Sequence, residues 1–251
     1  MKLTNFIGNE KVIDRLSKLM ESGRFPHALI IEGEEGIGKK TLAKDIACAL
    51  VCRGNDKPCG ECAQCKKAIG AIHPDISEYI PAGTANSFHV DTVRNIINDA
   101  YVQPNEADYK IYILANAHCM NQNAQNALLK ILEEPPEHLV FILATTELNK
   151  VPATILSRCQ RHSFKRLDAQ LIADHLEHVA QCESLRLERS AAELIAGLAE
   201  GGMRDALSLL DQCSGESDID TDAVYSAMGL TGNRRTAQLL DYAVKKNTDE
   251  A

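Results

Sequence analysis

Tryptophan is absent from the 251 residues, and phenylalanine and tyrosine bring the aromatic share to only 4%. So few rings argue against an aromatic cage or a base-stacking platform as the binding device. Long apolar runs are missing too. None approaches the ~20 residues that a bilayer span needs, and Met1–Gly8 lacks the charged-then-apolar order of a secretion signal. The sequence therefore points to a cytoplasmic protein with no membrane partner. Positive charge is in deficit: 27 Lys and Arg face 35 Asp and Glu, a net charge of −8. The net field repels phosphate, so any DNA contact must come from a local basic face or from partner subunits. What remains is ordinary globular composition, 45% apolar and 25% charged, in a length that suits one to two domains.

Cysteine is not scarce. Nine are present, and Cys52, Cys59, Cys62 and Cys65 follow the pattern C-x6-C-x2-C-x2-C, with Asn55, Pro58 and Gly60 supplying turns between them. Four thiolates at this spacing make a closed tetrahedral site for structural Zn²⁺, with no position left open for catalysis. The alternative is a set of free surface thiols in a reducing cytosol. Cys48, Cys119, Cys159, Cys182 and Cys213 lack such spacing and read as small buried residues.

Apolar periodicity divides the chain. Val12, Leu16 and Leu19 recur at helical spacing up to a glycine stop at Ser22-Gly23. Strand candidates are Ala28–Ile31, Ile76–Ile80, Ile111–Ala115, Leu139–Leu143 and a segment near 160–164; helices fall at 39–51, 90–101 and 121–134. Strands alternating with helices predict a parallel sheet covered on both faces. After Leu167 only helices are expected, at 168–181, 187–200, 203–212, 220–228 and 233–245. The division is thus 1–166 for an α/β nucleotide-binding domain, with a zinc module at 52–65, then a helical domain at 167–230, and from 231 to 251 a tail or the start of a further helical domain.

Between the first strand and the next helix lies Gly33-Glu34-Glu35-Gly36-Ile37-Gly38-Lys39-Lys40-Thr41, which fits G-x-x-x-x-G-K. Its glycines let backbone N–H groups wrap phosphate oxygens at a helix N-terminus, and Lys39 would reach the β- and γ-phosphates of ATP or ADP. An unliganded glycine turn is the plainer alternative. The hydroxyl that should follow the lysine and ligate Mg²⁺ is replaced by Lys40, and Thr41 comes about 100° further round the helix. A second strand should end in acids for Mg²⁺ and for activating water. Here it reads Ile111-Tyr112-Ile113-Leu114-Ala115-Asn116-Ala117-His118, with no carboxylate from 111 to 132. The donor set for Mg²⁺ and the base are both incomplete, which predicts nucleotide binding without the usual hydrolysis, with the Lys40 ammonium supplying part of the missing metal charge. His118 reads as a loop histidine before it reads as a replacement base.

Further motifs extend the pattern: Ile7-Gly8-Asn9-Glu10, Ser22–Ala28, Asn126–His138 with Leu132-Glu133-Glu134-Pro135-Pro136, Phe141–Glu147, Ser157-Arg158-Cys159-Gln160-Arg161 and Gly202–Gln212. With the phosphate loop and the four cysteines, they resemble the bacterial replicative clamp-loader ATPases of the AAA+ class, the gamma/tau subunit of DNA polymerase III and its delta-prime paralogue. The resemblance spans about residues 1 to 230. It implies a five-stranded parallel sheet with an inserted zinc module and a helical lid, within a component of the DNA polymerase III holoenzyme, a nucleotidyltransferase. Partners implied are the other loader subunits, the sliding clamp and primed DNA. Arg158 resembles the arginine finger that completes a neighbouring subunit's ATP site, Thr146 matches the sensor position, and Arg204 the lid arginine that faces the chain's own γ-phosphate. The family's Asp-Glu pair falls on Ala115 and Asn116. Losing the cis groups while keeping Arg158 is the pattern of a stator-like subunit; an active gamma/tau-type motor with a non-standard base is the alternative. Both subunit assignments stay open, since residues 138–166 and 200–213 are worded like gamma/tau. The family continues into a helical collar domain, of which 231–251 would be the beginning.

Overall fold

In the computed structural model of the protein, residues 6–81, 88, 90–215 and 218–229 are described. Residues 230–251, where sequence places a final helix and the start of a further domain, lie outside them. The chain divides into two compact units, Met1–Lys165 and Arg166–Ala251. The first runs α1 (Glu10–Glu21), β1 (Ala28–Glu32), α2 (Lys39–Val51), α3 (Ala63–Ile69), β2 (Ile76–Tyr79), α4 (Val90–Ala100), β3 (Lys110–Leu114), α5 (Gln122–Glu133), β4 (Leu139–Thr145), α6 (Ala153–Leu156) and β5 (Gln160–Ser163).

Its five strands form one parallel sheet in the order β2-β3-β4-β1-β5. The central strands are buried along their whole length, as a sheet covered on both faces requires. Strand alternation then sorts side chains into two cores. Ile30, Tyr112, Leu114, Phe141 and Leu143 pack with α4 and α5, whereas Leu29, Ile31, Ile111, Ile113 and Ile142 pack with α1 and α2. Because every strand points the same way, their C-terminal ends share one edge, and the phosphate loop leaves β1 there.

The second unit contains α7 (Ala169–Cys182), α8 (Arg189–Leu198), α9 (Met203–Cys213) and α10 (Thr221–Ala227) around their own apolar core. Asp168 and Asp220 cap α7 and α10 by accepting backbone N–H groups. One difference from sequence expectation is a two-stranded parallel ladder, β6 (Arg186–Leu187) with β7 (Asp218–Ile219). Two-residue strands are too short to leave an alternating pattern. A second difference is that Cys182 is exposed and Cys119 and Cys159 are only partly buried. Among the described residues, no helix is long and apolar enough to cross a membrane.

Asp75 anchors the segment between α4 and β3. It is 1% exposed and accepts the backbone N–H groups of Asn105, Glu106 and Ala107 at 2.6, 2.7 and 2.9 Å. Burial raises its pKa, but these hydrogen bonds outweigh burial and leave it below the ordinary value. Asp75→Ala strands three N–H groups and is expected to cost about 3–5 kcal/mol. A depressed carboxylate stabilises above its unfolded pKa and loses that contribution as pH falls through the folded value. Urea melts of wild type and variant should therefore differ strongly at pH ~7 and converge near pH ~3; a gap independent of pH would exclude the carboxylate as its source.

Candidate functional site

The phosphate loop is built on backbone geometry that side chains would obstruct. Gly36 and Gly38 have φ of 76° and 89°, in the left-handed region that glycine takes without strain. A Cβ on Gly38 would also lie 2.8 Å from the Phe6 ring. Gly33 donates its N–H to the Thr145 carbonyl at 3.2 Å, which ties the start of the loop to the end of β4. Lys39 opens α2 and is 9% exposed; its ammonium donates to the Glu34 carbonyl. Burial lowers the Lys39 pKa against the opposing pull of Glu35 and Glu34. A buried ammonium resting on its own loop's carbonyl can exchange that acceptor for a phosphate oxygen.

The side chains that should hold Mg²⁺ do not fit it. Lys40 presents a cation, pairing with Glu78 of β2 at 2.6 Å, and Thr41 is exposed. At the end of β3 stand the Ala115 methyl and Asn116, whose left-handed backbone (φ 53°) turns the chain into a short 3-10 turn at Ala117–Cys119. Mg²⁺ prefers anionic oxygen ligands in octahedral geometry, and this set offers a single neutral amide.

His118 sits in that turn, closer to the loop than sequence suggests. Its Nδ1 lies 3.0 Å from Thr145 Oγ1 and its Nε2 faces Glu147 at 3.6 Å. Burial lowers the His118 pKa, and the Lys150 and Lys39 ammonium groups reinforce the shift against Glu147. Nδ1 is engaged by Thr145, whereas the 3.6 Å from Nε2 to Glu147 is longer than a hydrogen bond. Thr145 is fully buried while Thr146, the sequence-matched sensor, is exposed.

Arg158 follows α6 and reaches back to α5, donating to Glu133 Oε1 at 2.7 Å and to the Thr154 carbonyl at 2.8 Å. Its side chain stays 33% exposed. Arg204 is the second residue of α9 in the other unit and is exposed.

Cys52, Cys59, Cys62 and Cys65 converge, with all four sulfurs within 4.8 Å of one another. Cys52–Cys59 and Cys59–Cys65 are 3.6 and 3.9 Å apart. A tetrahedron with Zn–S bonds of about 2.3 Å has edges of about 3.8 Å, so the set fits that metal. The backbone N–H groups of Gly54 and Cys59 point at Cys52 Sγ, that of Cys62 at Cys59, and that of Cys65 at Cys62. The N–H of Cys65 is the main cause that brings the Cys62 pKa down to about 6, while burial pushes Cys65 up. Sequence missed the polar partners Glu78, Glu133, Glu147 and Asp75. Only Glu78 left a trace, a charged residue in a strand, with two lysines four apart on α2.

A glycine loop between a buried strand and a helix, at the C-terminal edge of a parallel sheet in this order, together with a helical unit, defines an AAA+ P-loop fold. The Thermotoga maritima RuvB Holliday junction branch migration motor shares that fold with a TM-score of 0.67 at 19% identity, over 91% of this chain and 71% of that one. Residues 8–168 match the family described as DNA polymerase III, delta subunit, and 171–214 match the DNA polymerase III clamp loader subunit, ATPase lid domain. The chain belongs to the DNA polymerase III clamp-loader subunit family. It is 42% identical over 233 residues to DNA polymerase III subunit tau of Bacillus subtilis, covering 92% of this chain and 41% of that protein. It is 32% identical over 248 residues to subunit gamma of Buchnera aphidicola subsp. Acyrthosiphon pisum, covering 97% and 68%. The chain thus spans less than half the length of the Bacillus relative.

Proposed function

We propose that this chain acts in DNA replication as a clamp-loader subunit that holds ATP or ADP through Gly33, Gly36, Gly38 and Lys39 without hydrolysing it. It supplies Arg158 to the nucleotide of a neighbouring subunit, in a cytoplasmic complex that contacts the sliding clamp and primed DNA. Cys52, Cys59, Cys62 and Cys65 hold structural Zn²⁺, and Thr146 and Arg204 report on the bound phosphates. The observation that carries this reading is the replacement of both acids at the end of β3 by Ala115 and Asn116, while Arg158 keeps an exposed guanidinium. The names of the relatives favour a second reading, a gamma/tau-type motor with a non-standard base such as His118; the absence of both acids at the end of β3 counts against it.

Calorimetry and a phosphate-release assay on the purified chain separate the two. Nucleotide should bind, Lys39→Ala should weaken binding by about tenfold or more, as loss of a charge-assisted contact implies, and no turnover should exceed background. Mg²⁺-dependent turnover that Lys39→Ala abolishes would establish the motor reading instead.

A further inference from the structure

Glu78 carries two lysines. Lys40 and Lys44 stand one turn apart on α2 and place their ammonium groups 2.6 and 3.0 Å from its two carboxylate oxygens. Glu78 lies on the edge strand β2 in register with Ile113, and α2 packs across the sheet toward it. Two cations on one carboxylate leave one positive charge in excess within this trio, beside Lys39, a buried cation that opens the helix and faces Glu34 and Glu35 of the loop. Lys40 pairs with Oε1 and Lys44 with Oε2, so each lysine holds its own carboxylate oxygen. Lys44 alone can keep the carboxylate paired. Lys40, the second residue of α2, is the nearer of the two lysines to the phosphate loop.

Lys40 also occupies the position where the loop motif places its metal-ligating hydroxyl, and the other metal-binding positions hold Ala115 and Asn116. A polyphosphate entering this loop meets ammonium groups where a P-loop normally offers Mg²⁺. We infer that the loop takes its nucleoside polyphosphate as the metal-free anion, with Lys40 swinging from Glu78 onto the phosphates and Lys44 holding Glu78 in its place. This inference rests on the proposed nucleotide-holding role. It sets the ligand class: free nucleoside di- or triphosphate, in preference to its Mg²⁺ complex. The physical basis is charge. Mg²⁺ cancels two of the negative charges that Lys39 and Lys40 would otherwise meet, and neither Ala115 nor Asn116 offers the ion an anionic oxygen.

Calorimetric titration of the purified chain with ATP tests it, first with EDTA and then with excess Mg²⁺. ATP should bind in EDTA, and excess Mg²⁺ should weaken the affinity. Lys40→Ala should weaken metal-free binding about tenfold, with Lys44 still pairing Glu78 Oε2. Glu78→Gln releases Lys40 and should tighten metal-free binding by roughly threefold, a gain that misfolding cannot produce. Binding that Mg²⁺ leaves unchanged or tightens, or a Lys40→Ala variant that binds free ATP as well as wild type, would overturn the inference and leave the nucleotide-holding role standing. Absence of binding under both conditions would overturn that role as well.

Discussion

Stripping metal from Cys52, Cys59, Cys62 and Cys65 is expected to lower the melting temperature of the chain by several degrees while leaving nucleotide affinity within about twofold of the intact protein. Structural zinc contributes roughly 10–16 kcal/mol of apparent binding free energy in small zinc-finger peptides. Here only part of it couples to the domain, because α2 and the sheet have a core of their own in which Leu42, Ala43, Ile46 and Ala47 are fully buried. What the metal holds is the segment from Cys52 to the polar cluster beyond α3. Lys67 and Gln64 bond Glu106, and Arg53 donates to the Glu106 carbonyl. Glu106 in turn gives its N–H to Asp75. Losing the metal loosens this whole path, a cost of about 3 kcal/mol or more, which for a chain of this size is about 6–12 °C. Nucleotide binding should survive because α2 has 13 residues. At 1.5 Å per residue it separates the cysteines from the phosphate loop by about 20 Å. Cys65→Ser should reproduce the loss, since Cys65 is fully buried, and the exposed Cys182 provides a neutral control with Cys182→Ser. Metal analysis, thermal melts with and without a chelator, and ATP titration decide it. A chain that purifies without metal, or melts identically after chelation, would remove the zinc assignment.

What could be read from sequence was whatever is local in the chain. The alternation of buried strands with amphipathic helices, the glycine loop and the cysteine spacing are all patterns within about fifteen residues, and each reappears in the fold at its expected place. Polar pairings between distant segments leave no such mark. Arg158 finds Glu133 across 25 residues, Asp75 finds Asn105 across 30, and only the sheet order brings His118 to Thr145. The adjacent threonines show the limit sharply. Which of Thr145 and Thr146 points inward depends on where β4 ends, and a one-residue shift reverses every side chain. The paired two-residue strands β6 and β7 fall below any periodicity, and Lys40 was legible as a departure from a motif but not as a partner of Glu78.

Arg158→Ala is expected to reduce ATP hydrolysis by a reconstituted clamp-loader complex about a hundredfold or more at the site this arginine faces, about 2.7 kcal/mol of barrier. Arginine fingers supplied in trans to GTPases contribute 10³–10⁵, so the figure is a lower bound for a group acting on phosphates in a closed interface. The geometry suits the role. Glu133, the Thr154 carbonyl and Ser157 Oγ hold the guanidinium just after a four-residue helix, the last two sharing one terminal nitrogen. The remaining N–H groups stay available to phosphate oxygens. The chain's own fold should be indifferent to the change, because an exposed ion pair contributes about 0–1 kcal/mol, and its own nucleotide affinity should stay within twofold. Arg158→Lys keeps the charge but loses the planar fork, so it should recover only a small part of the rate. Single-turnover hydrolysis by the complex, alongside ATP titration of the isolated variant, reads both quantities. An unchanged complex rate would withdraw the finger assignment. A fall in the chain's own affinity would instead mean that Arg158 serves its own nucleotide site.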